Sequence, residues 1–295
     1  MLLSACNSDK SAEVTNNKLK VATTIKPIQS ILLAIAGDLV DSDQLIPDGA
    51  SPHDYSFKPS DMRKIKNADI IFRIDENMEA FLQPALKLKK EKALLVSLAD
   101  EQGIKLLTIA SHDNKKHSEE QHDHGNIDLH IWTSPKNAIA MANTIATSLI
   151  KNDPQNTKKY EANLASFTDS LQLASDEIAK ELSSLRDKPY IVLHNSWQYF
   201  ADYYGMQKPQ IVNLQHSVSS SAKSITKIRK QIVSNNVRCV FSEPGNRESQ
   251  VKTLIENLDI KTTEIDVLQS KLPTNESSYV DWLKTMGMDI KTCLE

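Results

Sequence analysis

Glycine is scarce in this chain, seven in 295 residues, and neither GxGxxG nor a Walker motif occurs. A phosphate-cradling loop is therefore not expected. No apolar run in the sequence approaches the ~20 residues a helix needs to cross a bilayer. An excess of one charge is missing too: the net charge of -3 gives no reason to expect nucleic acid or an anionic membrane surface as a partner. The three cysteines, Cys6, Cys239 and Cys293, form no CxxC, which argues against a thiolate metal site. HExxH is likewise absent. What is present, 40% hydrophobic and 25% charged residues, is the profile of a soluble globular protein with room for two domains, each with its own core.

Strand-like and helix-like segments alternate in two blocks. The first holds "LKVATTI" (19–25), a helical "PIQSILLAIAG", "DQLIP", "ADIIFRI" (68–74), a helical "MEAFLQPALK" and "ALLVSL" (93–98). The second holds "YIVLH" (190–194), "PQIVNL" (209–214), "RCVFSE" (238–243) and "KTTEID" (261–266). Such alternation predicts an α/β protein of two lobes, each a mostly parallel sheet flanked by helices. Between the blocks, Asp153 and Pro154 suit the first positions of a helix. Leu164, Phe167, Leu171, Ala174, Ile178, Leu182 and Leu185 then recur at three-four spacing, with no glycine or proline before Pro189. The result is one long, rigid linker helix of some 30 residues, roughly 45 Å long. The expected division is a tether over 1–17, an N-terminal lobe over 18–152, the linker over 153–186 and a C-terminal lobe over 187–295. Cys239 and Cys293 are either two separate buried thiols or a disulfide, which would imply an oxidising compartment.

Three histidines share one kind of position. His53 follows the second strand, His130 stands in "IDLHIWTSP" just before a helix begins at Pro135, and His194 ends "YIVLH". Ligands of open α/β sheets gather beyond the carboxyl ends of the strands, where side chains from separate strands converge. Imidazole suits zinc, and three imidazoles leave one place in a tetrahedron. Asp266, closing "KTTEID", is the acid that would fill it.

The pieces "PDGASPHDYSFKPSD", "DLHIWTSPKNA", "LHNSWQYFADYYG" and "CVFSEPGNRES" occur in the order seen in the zinc-binding receptors of metal ABC importers. The chain resembles that two-lobed family (cluster A-I solute receptors) over nearly everything from Lys18 to Cys293. The resemblance implies His53, His130 and His194 as metal ligands, Asp266 as fourth ligand or near neighbour, and a disulfide between Cys239 and Cys293. Two departures stand out. Some zinc members carry an acid directly before the first histidine, where this chain has Pro52. The histidine-rich loop, 112–126, is also short for the family. Its His112, His117, His122 and His124 lie among charged residues with no apolar period, so no packed core forms there. They are read as accessory zinc sites that hand the ion inward, or as a merely solvated loop.

The resemblance further implies capture of Zn2+ outside the cytoplasmic membrane and delivery to an ABC importer permease, by a monomer that catalyses no reaction. "MLLSAC" looks like a lipoprotein box with Cys6 as its lipidated residue, which would place the protein in the periplasm or on the outer face of a membrane. Three other readings stand beside this one. A manganese receptor of the same family tends to carry a carboxylate where His194 stands, a zinc hydrolase would keep one coordination place open, and some relatives act as adhesins. Asp54 and Tyr55 are candidates to orient the first histidine, and Glu243 to support the site. Trp132 and Trp197 are expected to wall the cleft, and His216 to lie in a surface loop.

Overall fold

The computed structural model describes residues 18–53, 55–109, 126–212, 222–245 and 248–295. In the first lobe, β1 (Leu19–Thr23), β2 (Val40–Gln44), β3 (Ile70–Arg73) and β4 (Leu94–Ser97) form a parallel sheet in the order β2-β1-β3-β4. The "IIFR" of β3 is buried at every position, as a strand covered on both faces must be. β2 alternates buried and open residues, which suits its place at the edge. Helices α1 (Lys26–Ala36), α2 (Pro59–Asn67) and α3 (Gln83–Leu86) follow β1, β2 and β3. Proline sits in the first turn of each, where its missing N–H costs nothing. A short antiparallel pair, β5 (Leu107–Thr108) with β6 (Ile127–Asp128), stands at the two feet of the segment 110–125. After it comes α4 (Pro135–Asn152), whose Ser134 side chain accepts the Asn137 N–H at 3.3 Å as an N-cap.

The second lobe repeats the plan. Strands β7 (Tyr190–Val192), β8 (Gln210–Ile211), β9 (Cys239–Ser242) and β10 (Lys261–Glu264) are parallel in the order β10-β9-β7-β8. Helices α6 (Gln198–Tyr203), α7 (Ala222–Ser234), α8 (Glu248–Ile255) and α9 (Ser278–Leu294) alternate with them. Among the described residues no helix is long and apolar enough to cross a membrane.

The lobes are joined by α5 (Thr157–Glu181), preceded by a short helical turn over Pro154–Asn156. Phe167, Leu171, Ala174 and Ile178 are buried on one side of α5, and Leu182 and Leu185 continue the buried stripe beyond its end. Asp153 and Pro154 take the N-cap and first positions of that turn as expected, while the Asp153 carboxylate accepts from Asn156 Nδ2 at 2.8 Å and Tyr160 Oη at 2.6 Å rather than from the turn's N–H groups. A second helix, α9, also passes between the lobes. It begins beside the first lobe, where Tyr279 Oη donates to the Trp132 carbonyl at 2.6 Å, and ends in the second, where Cys293 is bonded to Cys239. The Cα atoms of that disulfide are 5.6 Å apart.

α5 and α9 run side by side, tied by Glu177–Lys284 at 2.9 Å and Glu181–Lys291 at 2.6 Å. At the contact, a Cβ on Gly287 would stand 3.0 Å from Ile178 Cγ2, so a larger residue there would have to push the Ile178 side chain back by a few tenths of an ångström. One continuous apolar core results, from Val21 and Ile28 through Trp132 and Leu171 to Phe241 and Trp282. The outer face of each sheet has its own smaller cluster, around Ile71 and Leu82 in one lobe and Val240 and Leu254 in the other.

Candidate metal centre

The carboxyl ends of the two sheets face one region, and the histidines meet there. Ring centroids are 5.4 Å apart for His53 and His130, 5.9 Å for His53 and His194, and 4.9 Å for His130 and His194. One ligand atom from each lies within 4.8 Å of the others. Two come from loops of the first lobe and one from the second, brought together from positions up to 141 residues apart in the chain (194 minus 53).

Each position has a local cause. His53 lies on the loop between β2 and α2, a segment held at its far end by Asp61, which accepts the Lys58 N–H at 2.9 Å and the Tyr55 hydroxyl at 2.9 Å. His130 lies two residues past β6 and is only 8% exposed. Asp128 Oδ1 accepts the His130 backbone N–H at 2.9 Å and lies 2.7 Å from its Nδ1, while the ring packs on Trp132 with centroids 5.2 Å apart. His194 follows β7, whose pairing continues as Leu193 N–H donates to the Phe241 carbonyl at 3.1 Å. Its Nδ1 is 3.1 Å from the Glu243 carboxylate at the end of β9, and that carboxylate also accepts from Ser196 Oγ. Burial pulls the His194 pKa down, but the hydrogen bond and charge of Glu243, with the charge of Asp128, outweigh it and hold the ring above its ordinary 6.5.

Asp266 lies two residues past β10 but is not in the group of converging ligand atoms. Its Oδ2 accepts from Ser270 Oγ and Lys271 N–H, both at 2.9 Å, and its Oδ1 from Leu268 N–H at 3.3 Å. The turn it belongs to is nevertheless fastened to the site. Trp132 Nε1 donates to the Val267 carbonyl at 2.8 Å and Trp282 Nε1 to the Asp266 carbonyl at 2.6 Å. Ser30 Oγ in α1 and Gln269 add a 2.6 Å bond between the lobes.

Of the other expected residues, Glu243 stands directly behind His194. Tyr55 packs against Phe57 and Phe81, with centroids 5.5 and 6.0 Å away, and Trp197 is a core residue stacked on Tyr190 at 5.2 Å. Trp132 is fully buried and does wall His130. Cys6, Asp54, His112, His117, His122, His124 and His216 lie outside the described residues. Sequence reasoning missed Asp128. Its only signal is a carboxylate two residues before a ligand histidine, the reach of an Asx turn. It also missed Tyr199, which bonds the Asp128 carbonyl and accepts the Leu107 N–H at 2.9 Å, bracing β5 and β6 from the second lobe.

Three imidazoles at this spacing, with carboxylates behind two of them, form a basket for a transition-metal cation. The comparisons agree. A family model described as zinc-uptake complex component A, periplasmic, matches residues 21–293. The chain is similar to the high-affinity zinc uptake system protein ZnuA of Haemophilus ducreyi, 32% identical over 290 residues, covering 93% of each chain. It is 29% identical to the protein of that name from Yersinia pestis over 289 residues, covering 93% of this chain and 91% of that one. A crystal structure of ZnuA matches with a TM-score of 0.79 at 26% identity, covering 94% of this chain and all of that one. A zinc-bound ZnuA deletion mutant matches with a TM-score of 0.78 at 27% identity, covering 94% and 98%. This chain belongs to the ZnuA family of zinc-uptake components.

Proposed function

We propose that the protein captures Zn2+ outside the cytoplasmic membrane and delivers it to the permease of an ABC importer, with the ion held by His53, His130 and His194. The observation that carries this reading is the convergence of the three ring nitrogens within 4.8 Å. A tetrahedral zinc with bonds of ~2.0–2.1 Å places its ligand atoms about 3.3 Å apart. The basket therefore has to contract by at most about 1.5 Å, a shift within reach of side chains and the loop of His53. Three nitrogen donors favour zinc over the harder manganese, which prefers more oxygen.

Asp266 or a water takes the fourth place. Donors within its own turn take three of the acceptor positions of Asp266 and leave one on Oδ1, so that oxygen and water compete for the place. Closure of the lobes is small in this reading, because α5 and α9 both bridge them and leave no free hinge. Lobes spanning 18–152 and 187–295, with the linker over 153–186 between them, act as a monomer and catalyse no reaction. The Leu-Ser-Ala-Cys box supports a tether through a lipid on Cys6, with 1–17 as the spacer and the histidines of 112–126 as accessory zinc sites.

Elemental analysis of protein purified without added metal, paired with calorimetry for Zn2+ and Mn2+, tests the reading. About one zinc per chain and a clear preference for zinc are expected. Tighter binding of manganese, or zinc binding that survives His130→Ala unchanged, would refute it.

A further inference from the structure

Three neutral imidazoles bring no charge to a divalent ion. A bare tris-histidine site would hold two uncompensated positive charges beside His130, which is 8% exposed, although His53 and His194 are open to solvent. Charge buried without a partner is costly. Two carboxylates stand directly behind the rings, one from each lobe: Asp128 Oδ1 at 2.7 Å from His130 Nδ1 and Glu243 at 3.1 Å from His194 Nδ1. An ionised carboxylate only accepts hydrogen bonds, so each Nδ1 is held as N–H and each ring offers its lone pair at Nε2. Asp128 carries a second mark. It is 4% exposed, and its Oδ2 is buried with no hydrogen-bond partner among the described residues. Among the described residues, donors thus meet only one of its two oxygens.

We propose that Asp128 and Glu243 are positioning residues that also determine specificity: they are the counter-charges that make this site select a doubly charged ion over a singly charged one. The proposal rests on the receptor reading above and names what rejects the wrong ion. Cu+ is the monovalent probe that tests this, because it too accepts nitrogen donors, whereas Cu2+ carries the same charge as zinc and would feel the acids equally. Coulomb energy scales with the charge of the ion, so a carboxylate at fixed distance favours a divalent cation twice as much as a monovalent one. Removing that carboxylate should cost Zn2+ the square of the factor it costs Cu+. If the acids acted only by holding the rings in place, both ions would lose equally.

Asp128→Asn and Glu243→Gln keep side-chain size and remove the charge, and Asn keeps a carbonyl able to accept the His130 N–H. Chelator-competition titrations with Zn2+, and with Cu+ under anaerobic conditions, read the affinities. Each substitution is expected to lower Zn2+ affinity roughly 10–100-fold, the usual range for outer-sphere partners of a ligand histidine. Cu+ affinity should fall by about the square root of that factor, roughly 3–10-fold. Circular dichroism and melting of the empty protein check the fold. Glu243, with 19% of its side chain exposed, gives the reading if Asp128→Asn does not fold. Equal losses for both ions, or no loss, would overturn the proposal while leaving zinc capture intact. Failure of the unaltered protein to bind zinc would instead bring down the receptor reading, and this one with it.

Discussion

The bond between Cys239 and Cys293 fastens the last turn of α9 to the first residue of β9 and closes a loop across a sequence separation of 54. In the chain-entropy account, a loop of that length restricts the unfolded chain by about 4 kcal/mol. Reduction of the native protein should therefore lower its stability by about 4 kcal/mol. Cys239→Ala/Cys293→Ala should lower it somewhat further, because both sulfurs are buried and their removal leaves small voids. How far the melting temperature moves depends on what melts together. The apolar core runs unbroken through both lobes and the two bridging helices, which predicts a single cooperative unit. At ~2.1 cal/mol/K per residue for all 295 residues, 4 kcal/mol corresponds to a shift of about 6 °C. A second lobe melting alone would shift by about 17 °C, from the same entropy per residue over its smaller size. Zinc affinity should hardly change, since Cys239 opens β9 while Glu243 follows its other end, ~13 Å along the strand. Scanning calorimetry of oxidised, reduced and doubly substituted protein, with zinc titrations of each, makes the comparison. A loss below about 1 kcal/mol would refute the loop-closure reasoning. Collapse of zinc binding without loss of stability would refute the separation of bond from site.

Alanine at His53, His130 or His194 should each weaken zinc binding by orders of magnitude in calorimetry and leave the fold intact. Asp266→Ala should do much less, and an equal loss there would make it an obligatory ligand. Zinc binding should release a proton from His194, whose folded pKa lies above 6.5: at pH ~6.5 the empty ring is more than half protonated, so binding enthalpy should vary with the ionisation enthalpy of the buffer. An enthalpy identical in all buffers would contradict that. Glu79 is fully buried, and loss of solvation raises its carboxyl to about 7 against the pull of the Ile74 and Asp75 N–H groups. With the folded value raised from 4.5, its contribution is fully present below pH 4.5 and is lost as pH rises through 7. The loss approaches about 3 kcal/mol in urea denaturation and should vanish in Glu79→Gln.

Much of the fold was legible because burial on both faces writes itself as a run of apolar residues. Thus the central strands β1, β3, β7 and β9 lie inside the segments read as strands, and so do the edge strands β4, β8 and β10. β2 was placed a few residues late, at "DQLIP". As an edge strand it reads "VDSDQ", whose polar positions conceal it. The antiparallel pair β5 and β6 could not be read, since two-residue strands carry no period and their pairing spans the segment between them. The long helix was legible from its apolar stripe. The second bridge was not: an amphipathic pattern in α9 says that one face is buried but not against what, and Gly287 looks like a weak point until Ile178 is seen above it.

The site divides along the same line. The three converging histidines could be found because each lies in a segment that follows a strand, and strands can be counted from the sequence. Their counter-charges have no such rule. Glu243 reaches His194 from 49 residues away, and Asp128 looks like one acid among many until its Oδ1 is seen to hold both the backbone and the ring of His130. Asp266 runs the other way. Its place after β10 fits a ligand, yet donors from residues 268, 270 and 271 already claim its oxygens. Position along a strand therefore brings a group to the cleft, while competition for its lone pairs decides what it does there. An imidazole whose Nδ1 faces a carboxylate has one nitrogen left to offer a cation. A carboxylate held by its own turn has fewer lone pairs left to offer.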